Sequence, residues 1–310
     1  MFVAAGTPGS YAEAASRAPP SEPAPGIAGD AEWQAKLWRS DILVHFTPYL
    51  RANHPEILQR LVLRIDAQPA GLGATNREAT NDAPIAIGVA SERLAALRKL
   101  DDAVVFVSAH PQYEATLRTY AQALRTSLAA PRERMRAPLS FDSYASIPPA
   151  EFARALESRQ MQAVRKRLLR DAMAMAYAHQ IGHAVQDAHA DSADATAQAA
   201  ADTFAFHLIA ATSSDDASDT DTAQMPAFIL FATLDTPPPS NATGDARTDA
   251  LQCRLGNFAE LERDARRRLD RRAGIDPQAD PYLVAIEAFC ATTSCAIDVP
   301  QCRATPAVPD

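Results

Sequence analysis

The spacing of hydrophobic and polar positions predicts a mainly helical chain with a short β segment before its central helices. Helical spacing is visible over 31–47, whereas apolar and polar residues alternate near 61–65 and 85–89, as is typical of strands. Further helices are predicted over 91–108, 112–128, 149–187, 194–212, 225–233, 245–273 and 281–290. The pattern therefore indicates an α+β fold with a small sheet.

Stretches without periodicity divide the chain into an arm and one domain. Residues 1–30 are rich in Ala, Pro, Ser and Gly, which predicts a disordered arm. The arm has no basic start followed by an apolar block, so it is not a signal peptide as it stands. We expect 31–310 to form a single domain, with a helical, cysteine-containing part from about 245 to 310.

Composition and charge exclude two classes of function. The 310 residues carry a formal net charge of −8, which argues against a general nucleic-acid binder because such proteins need a basic surface. Charged residues make up 22% of the chain, and no apolar run approaches the roughly 20 residues that span a bilayer. We therefore predict no nucleic-acid partner and no integral membrane segment.

All four cysteines lie in the last fifth of the chain, at Cys253, Cys290, Cys295 and Cys302. An even, clustered set is compatible with two disulfides and hence with an exported, periplasmic or secreted protein. Four buried free thiols in a cytoplasmic protein are the alternative. The spacing does not match a zinc ribbon, and it leaves all three pairings open.

The residues with the clearest chemical potential lie between 174 and 208. His179 and His183 are four residues apart, so a helix places both imidazoles on one face, where they can occupy two corners of a zinc site. Gly182 lies between them, where a substrate or another backbone can approach closely. The next predicted helix carries Gln198 and Asp202 one turn apart, which predicts two helices with facing polar pairs.

The segments AHQIGHAVQ and QAAADTFA resemble the two motifs of the gluzincin metallopeptidases, in particular the neutral zinc metallopeptidase type. The resemblance implies a zincin-like fold and a zinc cofactor. It implies that His179, His183 and Gln198 hold the metal, with Asp202 steadying a ligand histidine. Gln180 stands at the position of the general base, and the strand at 85–89 is where such folds place the edge that holds an extended substrate.

Two positions depart from that family pattern. Gln180 and Gln198 each stand where the family has Glu. A glutamine amide can hold a water molecule but cannot accept its proton, and loss of a general base costs roughly 10²–10⁴ in rate. The Gln198 carbonyl is also a poorer zinc ligand than a carboxylate. Either the chemistry has been lost naturally, or Gln180 is an introduced change that traps an otherwise active enzyme.

Other side chains offer alternative ligands. His189 has the spacing of the third metzincin histidine, although on an unbroken helix it points about 240° away from His183. Asp202 can bind metal directly if Gln198 does not, and His207 can pack beneath the site. The alternative without a metal is that His179 and His183 are two hydrogen-bonded core histidines.

The predicted function is therefore that of a zinc metallopeptidase-like protein. If active, it would hydrolyse peptide bonds through a metal-activated water. The alternative is a non-catalytic pseudopeptidase that binds a peptide or protein in the former cleft.

Overall fold

A computed structural model describes residues 27–64, 84–130, 139–186, 195–212, 224–236 and 250–273. The described chain is mainly helical, with one small sheet. Its elements in chain order are α1 (Ile27–Leu37), a π-helical turn (Trp38–Ile42), α2 (Leu43–Asn53), α3 (Pro55–Arg60), β1 (Leu61–Leu63), β2 (Ile85–Ile87), α4 (Ser91–Ala109), a 3₁₀ turn (Pro111–Tyr113), α5 (Glu114–Ala129), α6 (Phe141–Tyr144), α7 (Pro149–Leu156), α8 (Arg159–Val185), α9 (Ala195–Thr212), α10 (Gln224–Asp235) and α11 (Ala250–Ala273).

The two strands form a parallel pair, with Leu61 opposite Ile85 and Leu63 opposite Ile87. The backbone N–H of Arg64 extends the pairing by donating to the carbonyl of Ile87 at 2.8 Å. Ile85 and Ile87 are buried, whereas β1 is only partly covered. The prediction of a small sheet before the central helices is confirmed, and the mainly helical class with it.

Element boundaries differ from the sequence prediction in several places, and α3 and α6 have no predicted counterpart. α1 begins at Ile27, three residues before the predicted end of the arm at residue 30, and Asp30 is buried against Arg98 of α4. The helix predicted over 149–187 is divided into α7 and α8, because the Ser158 hydroxyl accepts a hydrogen bond from the backbone N–H of Met161 and caps a new helix. The helix predicted over 281–290 lies outside the described residues.

The second half of α8 forms the centre of the hydrophobic core. It packs against α4, α9, α10 and β2. Every residue from Met175 to His183 is buried, which agrees with the small and apolar side chains that precede the histidines. A helix buried on all sides must pair its polar side chains within the protein, since unpaired polar groups there are costly.

Gly182 allows α8 and α9 to approach each other closely. A Cβ atom at this position would lie 2.9 Å from the carbonyl oxygen and 3.0 Å from the Cα of Ala201. The close approach predicted at Gly182 is therefore made by another backbone, and it brings the polar residues of α9 to the histidines.

Within the described ranges, no helix combines the length and apolar content that a membrane crossing requires.

Candidate functional site

His179 and His183 point their Nε2 atoms at each other. The two nitrogens are 3.0 Å apart, and the rings meet nearly edge to face. Both side chains are almost completely buried. Two facing nitrogens at this distance can share one proton in a hydrogen bond between neutral imidazoles, and they can also bind one metal ion.

Asp202 orients His179 from the neighbouring helix. Its Oδ1 lies 2.8 Å from Nδ1 of His179, and its side chain is 2% exposed. With a proton on Nδ1, His179 would present Nε2 as an acceptor, and His183 would then donate from its own Nε2; in the opposite tautomers the direction reverses. This carboxylate–imidazole contact is the geometry expected for Asp202, and it is also the usual second-sphere arrangement of a metal-bound histidine.

Arg254 on α11 joins two buried carboxylates. Its Nε and one terminal nitrogen donate to Asp202 at 2.8 and 2.7 Å, which is a bidentate pair. Its other terminal nitrogen donates to Oδ2 of Asp235 at 2.7 Å and to the hydroxyl of Thr236 at 3.0 Å. The guanidinium also lies over the ring of Phe231, 5.2 Å from its centre, so apolar surface covers it.

The charges of this centre are strongly coupled. Burial raises the pKa of both Asp202 and Asp235, but Arg254 and His179, joined by Arg93 at Asp235, together outweigh it and hold both values below their usual range. The two carboxylates in turn raise the pKa of Arg254. Burial, followed by the neighbouring His179, lowers the pKa of His183 to about 4, so this histidine is neutral at pH 7.

Gln180 is hydrogen-bonded at both ends of its amide. Its Oε1 accepts from the backbone N–H of Gly88 at 2.8 Å, and its Nε2 donates to the carbonyl of Gly88 at 3.0 Å. The peptide carbonyl of Ile87 faces β1, so the alternation of a strand turns the groups of Gly88 away from β1. The amide of Gln180 thus takes the position that a third strand or an extended peptide would occupy at Gly88.

A second glutamine fixes the next residue in the same manner. The Gln34 amide donates to the carbonyl of Val89 at 2.9 Å and accepts from its N–H at 3.3 Å. The hydroxyl of Tyr177 also donates to Gln34, at 3.2 Å. The segment after β2 is therefore held between α1 and α8 by side-chain amides.

Gly88 itself is required by the fold at this point. A Cβ atom there would lie 2.1 Å from the carbonyl oxygen of Arg64, which no side chain can accommodate without a backbone shift. Glycine thus lets β2 and the end of β1 approach each other while its own N–H and carbonyl face Gln180.

The remaining predicted site residues have different environments. Gln198 is half-buried on α9, one turn before Asp202, and His207 is exposed on the same helix, with its ring against Phe206. His189 lies outside the described residues. Of the described candidates, the structure brings together His179, His183 and Asp202, with Gln180 directed to the strand.

Sequence reasoning missed Arg254 and Asp235. Each is a charged residue beside a largely apolar helical stretch, LQCRLGNF and MPAFILFATLD respectively. A lone charge among apolar residues is a signal of a buried ion pair, because an unpaired charge in the core is too costly. The signal identifies neither partner, since Arg254 and Asp202 are 52 residues apart.

The donor set does not fit the zinc site that the family resemblance implies. The two Nε2 atoms are suitably placed, because zinc bonds of about 2.0–2.1 Å in a tetrahedral site separate two nitrogens by about 3.3 Å. However, no three His, Cys, Asp or Glu side chains in the described ranges are arranged to hold a metal. Both oxygens of Asp202 face Arg254, and Oδ2 of Asp235 is 3.8 Å from Nε2 of His179 and 2.7 Å from Arg254.

Comparisons with protein families, with curated proteins and with solved structures return no match for this chain.

Proposed function

We propose that this chain is a metallopeptidase-like protein that does not cleave peptide bonds, a pseudopeptidase whose polar centre stabilises its helical domain. The observation that carries the proposal is the pairing of Gln180, whose amide oxygen and nitrogen are both bonded to the backbone of Gly88. A general base must accept a proton from a bound water. The amide of Gln180 has no basic atom, and its oxygen and nitrogen are both already hydrogen-bonded to Gly88.

The surroundings of the histidine pair support the same conclusion. In a hydrolytic centre, carboxylates are available to bind metal or to move protons. Here Asp202 and Asp235 both pair with Arg254, in an arrangement that is almost completely buried. The pairing satisfies the carboxylates internally.

A peptide or protein ligand is part of the proposal, and the family resemblance places it along β2, at the edge that α1 and α8 cover in this structure. Extended peptides bind proteins by adding a strand to a sheet edge. Because Gln180 holds Gly88, a ligand on this edge has to displace that amide. We therefore expect an extended, fluorescently labelled peptide to bind more tightly to Gln180→Ala than to the wild type, as measured by fluorescence polarisation. Equal affinity would place the ligand elsewhere.

The catalytic part is tested with a peptidase assay on zinc-supplemented protein. The wild type is compared with Gln180→Glu, with Gln180→Glu/Gln198→Glu, and with Gln160→Glu as a matched change at an exposed position of α8. We expect no hydrolysis by the wild type or by the control. Hydrolysis by the wild type that disappears in His183→Ala would refute the proposal.

The double revertant tests the relationship to the peptidases. Hydrolysis that appears only when both glutamates are restored would mean that the cleft survives and that only the chemistry was lost. A double revertant that binds zinc and cleaves nothing would mean that the cleft has changed as well.

An active zinc peptidase is the second candidate. The observation in its favour is the 3.0 Å separation of the two Nε2 atoms, together with the contact between Asp202 and His179. It predicts stoichiometric zinc in the purified protein, and metal analysis therefore separates the two candidates.

A further inference from the structure

The first helix of the described chain, α1, lies over the residues that follow β2. Its Gln34 side chain has no exposed surface, and the amide bonds both the N–H and the carbonyl of Val89, at 3.3 and 2.9 Å. Val89 is itself only 1% exposed. A strand added beside this residue would need the same two backbone groups. α1 therefore takes hydrogen bonds that an extended peptide at the end of β2 would otherwise make.

The contacts that hold α1 in place are mainly polar. Asp30 forms an ion pair with Arg98 of α4, and the Arg98 guanidinium lies 5.0 Å from the centre of the Trp33 ring. Among the α1 residues whose burial the structure describes, Leu37 is the only buried hydrophobic residue. Because apolar burial supplies most of the free energy of docking, α1 is held less firmly than the core half of α8.

A π-helical turn separates α1 from α2. The turn spans Trp38–Ile42, both of its end residues are buried, and the Trp38 ring lies 5.2 Å from that of Tyr177. Such turns are points at which helices bend, because the regular hydrogen-bond ladder is interrupted there. The chain is thus anchored at Trp38, and α1 can move about this turn while α2 stays in place.

We propose that α1 is a displaceable cover that regulates peptide binding at the end of β2, an inference that rests on the peptide ligand of the proposed function. Two amides occupy the end of β2. Gln180 projects from a helix that is buried on all sides, whereas Gln34 projects from a helix with few apolar contacts. Movement of α1 about the π turn withdraws Gln34 and frees the N–H and the carbonyl of Val89. The docked helix keeps these groups closed to a ligand.

The experiment measures the binding of one probe, a fluorescein-labelled peptide of alternating valine and threonine, to the full chain by fluorescence polarisation. The variant is Asp30→Asn, which weakens the docking of α1 on α4 and leaves Gln34 and Val89 unchanged. The matched control is Asp41→Asn, the same change at an exposed position of the π turn. The dissociation constant of Asp30→Asn should be about tenfold lower than that of the wild type, because the apparent constant scales inversely with the fraction of molecules whose site is open. The control should bind as the wild type does.

Two further measurements separate movement of α1 from a local change at Asp30. Arg98→Gln breaks the same ion pair from α4 and should reproduce the tighter binding, also if Asp30→Asn does not fold. Saturating the wild type with the probe should increase hydrogen exchange in Ile27–Leu37 and leave Met175–His183 unchanged, as read from peptic fragments by mass spectrometry.

Unchanged affinity in the folded variants of this ion pair overturns the inference, and so do α1 amides that stay protected when the probe is bound. If Gln180→Ala still binds the probe more tightly than the wild type, the proposed function stands and only the role of α1 is lost. If no variant binds the probe, the peptide ligand and the inference fail together, and the peptidase assay decides the absence of catalysis separately.

Discussion

Replacing Asp101 with Asn should stabilise the protein progressively as the pH rises. Asp101 lies on α4 with no exposed surface, and neither carboxylate oxygen has a hydrogen-bond partner among the described residues. Burial, aided by the charge of Asp102 and opposed by Arg165, raises the pKa of Asp101 to about 8. The carboxyl group is therefore mostly protonated in the folded protein at pH 7.

The direction of this pH dependence follows from the difference in proton binding between the folded and unfolded states. The unfolded chain releases this proton near pH 3.8, whereas the folded protein retains it until about pH 8. Between these values the folded state binds more protons, so the free energy of unfolding falls as the pH rises, by about 1.4 kcal/mol per pH unit. Asn does not titrate, so between pH 5 and pH 8 the stability of Asp101→Asn relative to the wild type should rise by about 4 kcal/mol.

Urea unfolding at pH 5, 6, 7 and 8 measures this difference. The cost of placing an amide in this apolar position does not depend on pH. It therefore cancels when the stability differences between Asp101→Asn and the wild type at the four pH values are compared. Asp264→Asn, at an exposed position of α11, is the matched control and should show no such trend. A stability difference for Asp101→Asn that stays constant across the range would refute the buried, protonated assignment.

The remaining predictions concern packing, capping and the cysteines. Gly182→Ala should destabilise the protein by about 1–3 kcal/mol in urea unfolding, because the new Cβ meets the backbone of Ala201 and α9 has to move; an unchanged midpoint would contradict the close approach. Ser158→Ala should cost about 1 kcal/mol through loss of the cap on α8, and equal stability would show that the cap is dispensable. If the four cysteines form two disulfides, the denatured, unreduced protein should contain no reactive thiol. Four thiols by colorimetric titration would support the cytoplasmic alternative.

The histidine pair illustrates what local spacing predicts well. Four-residue spacing on a helix is enough to place His179 and His183 on one face, and the structure has their Nε2 atoms 3.0 Å apart. The small residues before them predicted a buried helix, and Gly182 predicted a close approach that α9 provides. The zinc, the peptide ligand and the exported location remain predictions.

Gln180 illustrates what spacing does not predict. The family resemblance places it at the position of a general base, but its contacts depend on Gly88, which is 92 residues away. Only the packed structure shows that the amide bonds both backbone groups of that glycine. An ionised glutamate could accept from the N–H of Gly88 but could not donate to its carbonyl, so the amide makes both bonds without having to carry an acidic proton.

The sequence by itself determined most of the helices, the short sheet and the shared face of the two histidines, because these depend on periodicity over a few residues. The tertiary structure decided what surrounds that face. Arg254 and Asp235 enter the centre from α11 and α10, and nothing in their local sequence specifies Asp202 or His179 as their neighbours. A buried charge needs a partner of opposite charge. The packing of helices that are distant in sequence determines which residue that partner is, and the local pattern does not.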